Sequence, residues 1–189
     1  MPEFATVPLA TTCAGRTDAG VHALEQVVHF DTDVQRSPNA WVRGPNSFLP
    51  HDISVQWAQE VPREFHCRAS ALTRRYAYVL LDSVVRPSIE AGRVGWVFQA
   101  LDLAPMQDAA QRLVGEHDFS SFRAAACQAL SPIKTIRRID ITRRGAYWRF
   151  EFEANAFLHH MIRNIMGCLI YVGQGKHPPE WLDEVLAAR

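Results

Sequence analysis

The sequence predicts an α+β fold, and three observations carry the prediction. Stretches with period-two alternation and stretches with helical spacing both occur, without the strict strand-helix alternation of a doubly wound sheet. No internal repeat, low-complexity tract or long charged linker divides the chain. At 189 residues and 48% hydrophobic, with 10 Phe and 5 Trp, it can bury a substantial core, which excludes disorder.

The elements follow in chain order. Ile53, Val55 and Trp57 alternate as a half-buried strand after the Leu49-Pro50 break. Residues 74–81 read as a strand with Tyr76, Tyr78 and Leu80 on one side, and the turn-like stretch 82–95 is the best subdomain junction. A helix is expected near 102–114, capped by Asp102, with Leu103, Met106, Ala110 and Leu113 on one face and Gly115 at C′. Ile139 and Ile141 alternate, a turn at Arg144-Gly145 reverses the chain, and Trp148, Phe150 and Phe152 alternate back, giving a hairpin with one buried face. Asn155 is expected to cap a helix whose stripe is Leu158, Met161, Ile162, Ile165, Leu169 and Val172. Pro178-Pro179-Glu180 opens a last helix with Trp181, Leu182, Val185 and Leu186 inward. The ends read as those of a piece of a longer protein, and the Pro2-Glu3-Phe4 opening as vector-derived.

Composition narrows the function classes. No apolar run approaches the ~18 residues of a membrane span, and no charged-then-apolar signal opens the chain. The 4 Cys (Cys13, Cys67, Cys127, Cys168) form neither a zinc pattern nor a disulfide framework, which points to a reducing cytoplasm. The 20 Lys plus Arg balance 20 Asp plus Glu, yet only Lys134 and Lys176 are lysines. Arg suits bidentate phosphate contacts, although a GC-rich genome also favours it. Between residues 132 and 149 stand Lys134, Arg137, Arg138, Arg143, Arg144 and Arg149 against Asp140, so a neutral chain can still carry a basic face.

Four groups of residues could carry chemistry. Gly15-Arg16-Thr17-Asp18-Ala19-Gly20-Val21-His22 places one carboxylate between two glycines on a tight loop; no Lys-Ser/Thr follows, so it is not a phosphate loop. The alternative is a surface turn whose Asp caps a helix. Asp31-Thr32-Asp33 after Val27-Val28-His29-Phe30 fits an Mg²⁺-dependent aspartyl-phosphate phosphohydrolase, but the Lys and downstream acidic pair of that chemistry are missing, and a strand-end turn explains it. His159-His160-Met161-Ile162-Arg163-Asn164 lacks the Glu of a zinc protease. Arg163 lies off the apolar stripe of a helix apolar nearly all round, so it is either half-buried against a carboxylate or snorkelling to solvent. Finally, Phe65-His66-Cys67-Arg68, Arg74-Arg75-Tyr76 and Phe119-Ser120-Ser121-Phe122-Arg123 interleave aromatic and basic residues, as RNA-stacking surfaces do and as core strands also do.

Taken together, residues 15–23 (Gly-Arg-Thr-Asp-Ala-Gly-Val-His-Ala), 65–71 (Phe-His-Cys-Arg-Ala-Ser-Ala), 74–78 (Arg-Arg-Tyr-Ala-Tyr), 115–122 (Gly-Glu-His-Asp-Phe-Ser-Ser-Phe) and 155–167 (Asn-Ala-Phe-Leu-His-His-Met-Ile-Arg-Asn-Ile-Met-Gly) resemble the TruA family of tRNA pseudouridine synthases. Order and spacing match from Cys13 onward. The resemblance implies a pseudouridine synthase fold: two ferredoxin-like halves sharing a central antiparallel sheet, with helices on one face and a catalytic cleft. The halves would be 1–83, carrying the Asp loop and the Tyr strand, and 84–189, carrying the Arg-bearing helix.

It further implies isomerisation of uridines at positions 38–40 of the tRNA anticodon stem-loop, with no cofactor and no metal, in a cytoplasmic homodimer. Asp18 matches the essential aspartate, as nucleophile or base; Arg163 its ion-pair partner; and Tyr76 the residue that stacks on uracil and transfers a proton. Arg16, Thr17, His22 and Arg68 match substrate-binding positions. The residue types suit the chemistry: one carboxylate can attack or abstract without metal, and a base must leave its stack to be reached. The sequence departs from the family pattern in lacking an opening Tyr-Asp-Gly-Thr strand, a Gly-Trp-Gln segment and a closing Gly-Leu-Tyr-Leu strand. Its Gly44-Pro45 pair also interrupts an expected helix. Unpaired sheet edges would result, so the stretch alone is expected to be unstable or weakly active. The competing reading is a non-catalytic fragment of that family that binds structured RNA.

Overall fold

The computed structural model describes residues 8–189, and the Pro2-Glu3-Phe4 opening lies outside them. The chain forms two compact units, one ending at Ala71 and the other spanning Leu72–Arg189.

In the first unit, β1 (Thr12–Cys13) pairs antiparallel with β2 (Val28–His29). Helix α1 (Pro38–Asn46) starts at Ser37, whose Oγ accepts the Ala40 N–H, with proline at N1 where no donor is needed. The expected interruption at Gly44-Pro45 does not occur. Pro45 lies in the last turn, where it forfeits a single helical hydrogen bond, and its ring is buried. The expected strand at Ile53, Val55 and Trp57 is also absent. The carboxamide of Asn46 accepts from the Val55 N–H (2.7 Å) and donates to its carbonyl (2.9 Å), taking both groups that a neighbouring strand would use. Ile53 and Trp57 stay exposed.

The second unit holds a five-stranded sheet in the order β4-β3-β7-β6-β5. Its strands are β3 (Arg74–Asp82), β4 (Gly95–Val97), β5 (Gly115–Asp118), β6 (Ile133–Arg144) and β7 (Tyr147–Ala154). All pairs are antiparallel except β3 with β4. The strand expected in the N-terminal half, β3, is thus packed in this unit. The β6–β7 hairpin forms as read, with its two-residue turn at Gly145-Ala146, one residue beyond the expected position. A bulge between Ile136 and Arg138 adds one residue to β6. That extra residue lets Ile136 and Ile139, three apart, both point into the core.

One face of the sheet is apolar. Leu80, Ile139, Ile141, Trp148, Phe150 and Phe152 are buried there. Covering them are α2 (Leu103–Arg112) through Met106, Ala109 and Ala110, and α3 (Met161–Gly173) through Met161, Ile165, Leu169 and Val172. Truncating any of these aromatic side chains to Ala would cost about 3–5 kcal/mol. Asp102 caps α2 as expected, but Leu113 is its C-cap, so Gly115 falls one residue past C′ and opens β5. The last helix, α4 (Trp181–Ala188), buries Leu182 fully and Trp181, Val185 and Leu186 in part. Arg112 ties α2 to α4 through Glu180 (2.9 Å) and Asp183 (2.6 Å).

Asn155 does not cap a helix. It follows β7, and α3 begins six residues later, at Met161, behind a left-handed His160 with no side-chain cap. Among the described residues no helix is long and apolar enough to cross a membrane.

Candidate active site

The site residues read from the sequence fall in both units. In the first, β1 and β2 are the arms of a long loop that carries Arg16, Thr17, Asp18 and His22. The ladder continues past the strands, since the Ala14 N–H donates to the Val27 carbonyl (2.8 Å). Next, the Gln26 carboxamide takes over the strand's role, accepting from the Gly15 N–H and donating to the Gly15 carbonyl. Residues 16–25 are therefore held at their neck by a side chain that mimics a backbone pair.

Beyond the neck the chain turns at residues 18–21, where the Val21 N–H donates to the Asp18 carbonyl (3.0 Å). Gly20 sits at the third position with φ 81°, the left-handed conformation a type II turn demands there. This turn presents Asp18 half-buried, while Arg16, Thr17 and His22 are exposed.

The arms are braced by residues 65–70. Arg68 Nη2 donates to the Cys13 carbonyl (3.2 Å), the buried Cys67 thiol to the Thr12 carbonyl (3.3 Å), and the Cys67 N–H to His29 Nδ1 (3.4 Å). The His29 ring meets Phe65 and His66 edge-on. Arg68 is thus brought to the base of the Asp18 loop. Sequence reading missed Gln26 and Cys67 in this arrangement. A glutamine following the glycine loop and a Cys within an aromatic motif give no periodic signal.

In the second unit Tyr76 stands on β3, half-buried and opposite Phe152. Its ring meets Phe157 edge-on at 5.2 Å and 89°. Phe157 belongs to the connection between β7 and α3, which Asn155 anchors. Asn155 Oδ1 accepts from the N–H groups of Thr135 (3.1 Å) and Ala156 (2.7 Å), its N–H donates to the Thr135 carbonyl (3.1 Å), and its carbonyl accepts from Arg74 Nη1 (3.0 Å).

Arg163 is the third residue of α3. It is exposed, as is Gly167 one turn on, and the buried stripe of the helix faces the sheet and α2, so the half-buried alternative for Arg163 is not what the helix shows. The first turn is fixed by Asn164 Nδ2, which donates to the Phe122 carbonyl (2.9 Å). Nearby, the Ala124 N–H donates to the His159 carbonyl (2.9 Å), and the His159 and His160 rings lie 4.0 Å apart at a 38° tilt. In the loop that carries Ala124 the Ala129 N–H holds the Cys127 thiol below its ordinary range, and at the start of β6 burial pushes Lys134 down.

The basic run between residues 132 and 149 is partly neutralised within the sheet. Its register sets Arg138 opposite Glu153 and Asp140 opposite Glu151. Ion pairs then form within the sheet: Arg138–Asp140 (2.7 Å), Arg149–Glu151 (2.8 Å), Arg143–Asp82 (3.4 Å), and on the neighbouring strand Arg75–Glu153 (2.9 Å).

The sequence profile of the tRNA pseudouridine synthase family matches residues 3–68 and 109–189. The tRNA pseudouridine synthase A of Albidiferax ferrireducens is 70% identical over 189 residues, covering the whole of this chain and 73% of the relative. That of Polaromonas naphthalenivorans is 69% identical over 193 residues, again over the whole chain and 73% of its own length. That of Methylibium petroleiphilum is 65% identical over 188 residues and 72% of its length. With more than half its residues matched by one profile and such relatives across its full span, the chain belongs to the tRNA pseudouridine synthase family.

Proposed function

We propose that this chain isomerises uridine to pseudouridine in tRNA, at positions 38–40 of the anticodon stem-loop, with Asp18, Tyr76 and Arg163 as the reacting group and its partners. The observation that carries the reading is the carboxylate held on a glycine-permitted turn inside a braced loop, in a chain whose relatives are named for this activity. The isomerisation breaks the N1–C1′ bond, rotates the uracil and joins C5 to C1′. The C5 proton is released and N1 is protonated. Nothing is oxidised or reduced.

Asp18 serves as nucleophile or base, and the Arg163 guanidinium, open to solvent on the first turn of α3, is its ion-pair partner. The half-buried Tyr76 ring offers a stacking face for the extruded uracil and a hydroxyl for proton transfer. Arg16, Thr17, His22 and Arg68 bind the RNA around the loop. Two ferredoxin-like halves sharing a sheet, a cleft between them, a homodimer and a cytoplasmic setting belong to the same proposal.

Tritium release from tRNA carrying [5-³H]uridine tests it. Release from tRNA with uridine at 38–40, and not from tRNA with cytidine there, supports the proposal. Tight binding of both without release would make the chain an RNA-binding relative and overturn it.

A further inference from the structure

We propose that Phe157 is a positioning residue for the isomerisation, acting through the ring of Tyr76. The inference rests on the reading of Tyr76 as a residue of the active site. Tyr76 is the third residue of β3 and is only half-buried. Its backbone is fixed by pairing with Phe152, but pairing leaves χ1 and χ2 free. The ring it meets edge-on is that of Phe157, at 5.2 Å and 89°, the geometry in which the positive edge of one ring faces the negative face of the other.

Phe157 can hold that orientation because its own backbone is anchored two residues earlier. Three of the four hydrogen bonds of Asn155 fasten the connection to β6 through Thr135 and to β3 through Arg74. Arg74 is two residues before Tyr76 on the same strand, so the strand and the connection are clamped together just beside the ring pair. Leu158, the next residue, is buried and locks the other side. A stacking platform for an extruded base must be presented at one tilt, and a small misplacement of a reacting group costs rate more than binding.

Single-turnover tritium release and tRNA affinity would be measured for Phe157→Leu, Phe157→Tyr, Tyr76→Leu and the double variant Phe157→Leu/Tyr76→Leu. Phe157→Leu is expected to slow the reaction about ten- to a hundredfold with tRNA affinity unchanged within about twofold. Phe157→Tyr, which keeps the ring, is expected to retain the rate. In the Tyr76→Leu background the Phe157→Leu change is expected to add nothing, because the group it positions is gone. Equal losses in both backgrounds, or loss of affinity in step with rate, would overturn the positioning role while leaving the site intact. Unchanged turnover in Tyr76→Leu itself would instead overturn the assignment of Tyr76, and this inference with it.

Discussion

Replacing Asn155 separates two ways of holding the β7–α3 connection. In Asn155→Ala the backbone bonds to Thr135 and Arg74 survive, but the N–H groups of Thr135 and Ala156 lose their side-chain acceptor. Each such bond contributes about 0.5–1.5 kcal/mol net. Asn155 is exposed, so water replaces part of the loss and the sum comes to about 1–2 kcal/mol. Asn155→Asp keeps an acceptor at the same place and adds a negative charge near the Arg74 guanidinium, so it should stay within about 0.5 kcal/mol of the parent. In urea, with a slope of about 2 kcal/mol per molar, the Ala variant's midpoint should fall by about 0.5–1 M and the Asp variant's should barely move. Equal destabilisation of both would show that the acceptor is not what holds the connection; a neutral Ala variant would show that the backbone bonds suffice.

Three further outcomes follow from local geometry. At Gly173 a methyl group would come within 2.6 Å of Met106 Sδ and 2.9 Å of its Cγ. Gly173→Ala should therefore destabilise the α2–α3 packing by about 1–2 kcal/mol despite Ala's better helix propensity, as a lowered urea midpoint. Gly20→Ala meets no neighbour but must sit at φ 81°. That costs about 1–2 kcal/mol in the loop, so turnover should fall while the thermal midpoint of the second unit is unchanged. The Ser120 hydroxyl and N–H hold the Asp118 carboxyl below its ordinary range. The folded state thus binds that proton more weakly than the unfolded chain, and the stabilisation is complete above about pH 4 and lost as pH falls through the depressed value. Asp118→Asn should make stability less steep in this acid range, read from urea midpoints against pH; an unaltered slope would contradict it.

The sequence was most legible where periodicity and burial coincide. Trp148, Phe150 and Phe152 alternate because one face of β7 is core, and the α3 stripe repeats because it faces that same core. Legibility failed where a single side chain overrode the pattern. Asn46 satisfies the backbone of Val55 and removes the reason for a strand; Asn155 turns its carboxamide towards β6 rather than capping a helix. The charge run overstated its basic character for a different reason: Asp82, far away in sequence on β3, reaches Arg143, and Glu151 and Glu153 come opposite β6 only through register. At the candidate site the glycine-flanked Asp18 was visible as a turn, and the structure adds the Gln26 clamp and the Cys67 and Arg68 brace that hold its neck. The ring pair of Tyr76 and Phe157 joins residues 81 positions apart and has no linear signature.

The most direct measurement is tritium release by Asp18→Asn, which keeps the size of the side chain and the backbone turn but removes the charge. No release above background, with tRNA binding retained, is the predicted result. Release at the parental rate would mean that the carboxylate is not the reacting group, and the assignment of the site would be wrong.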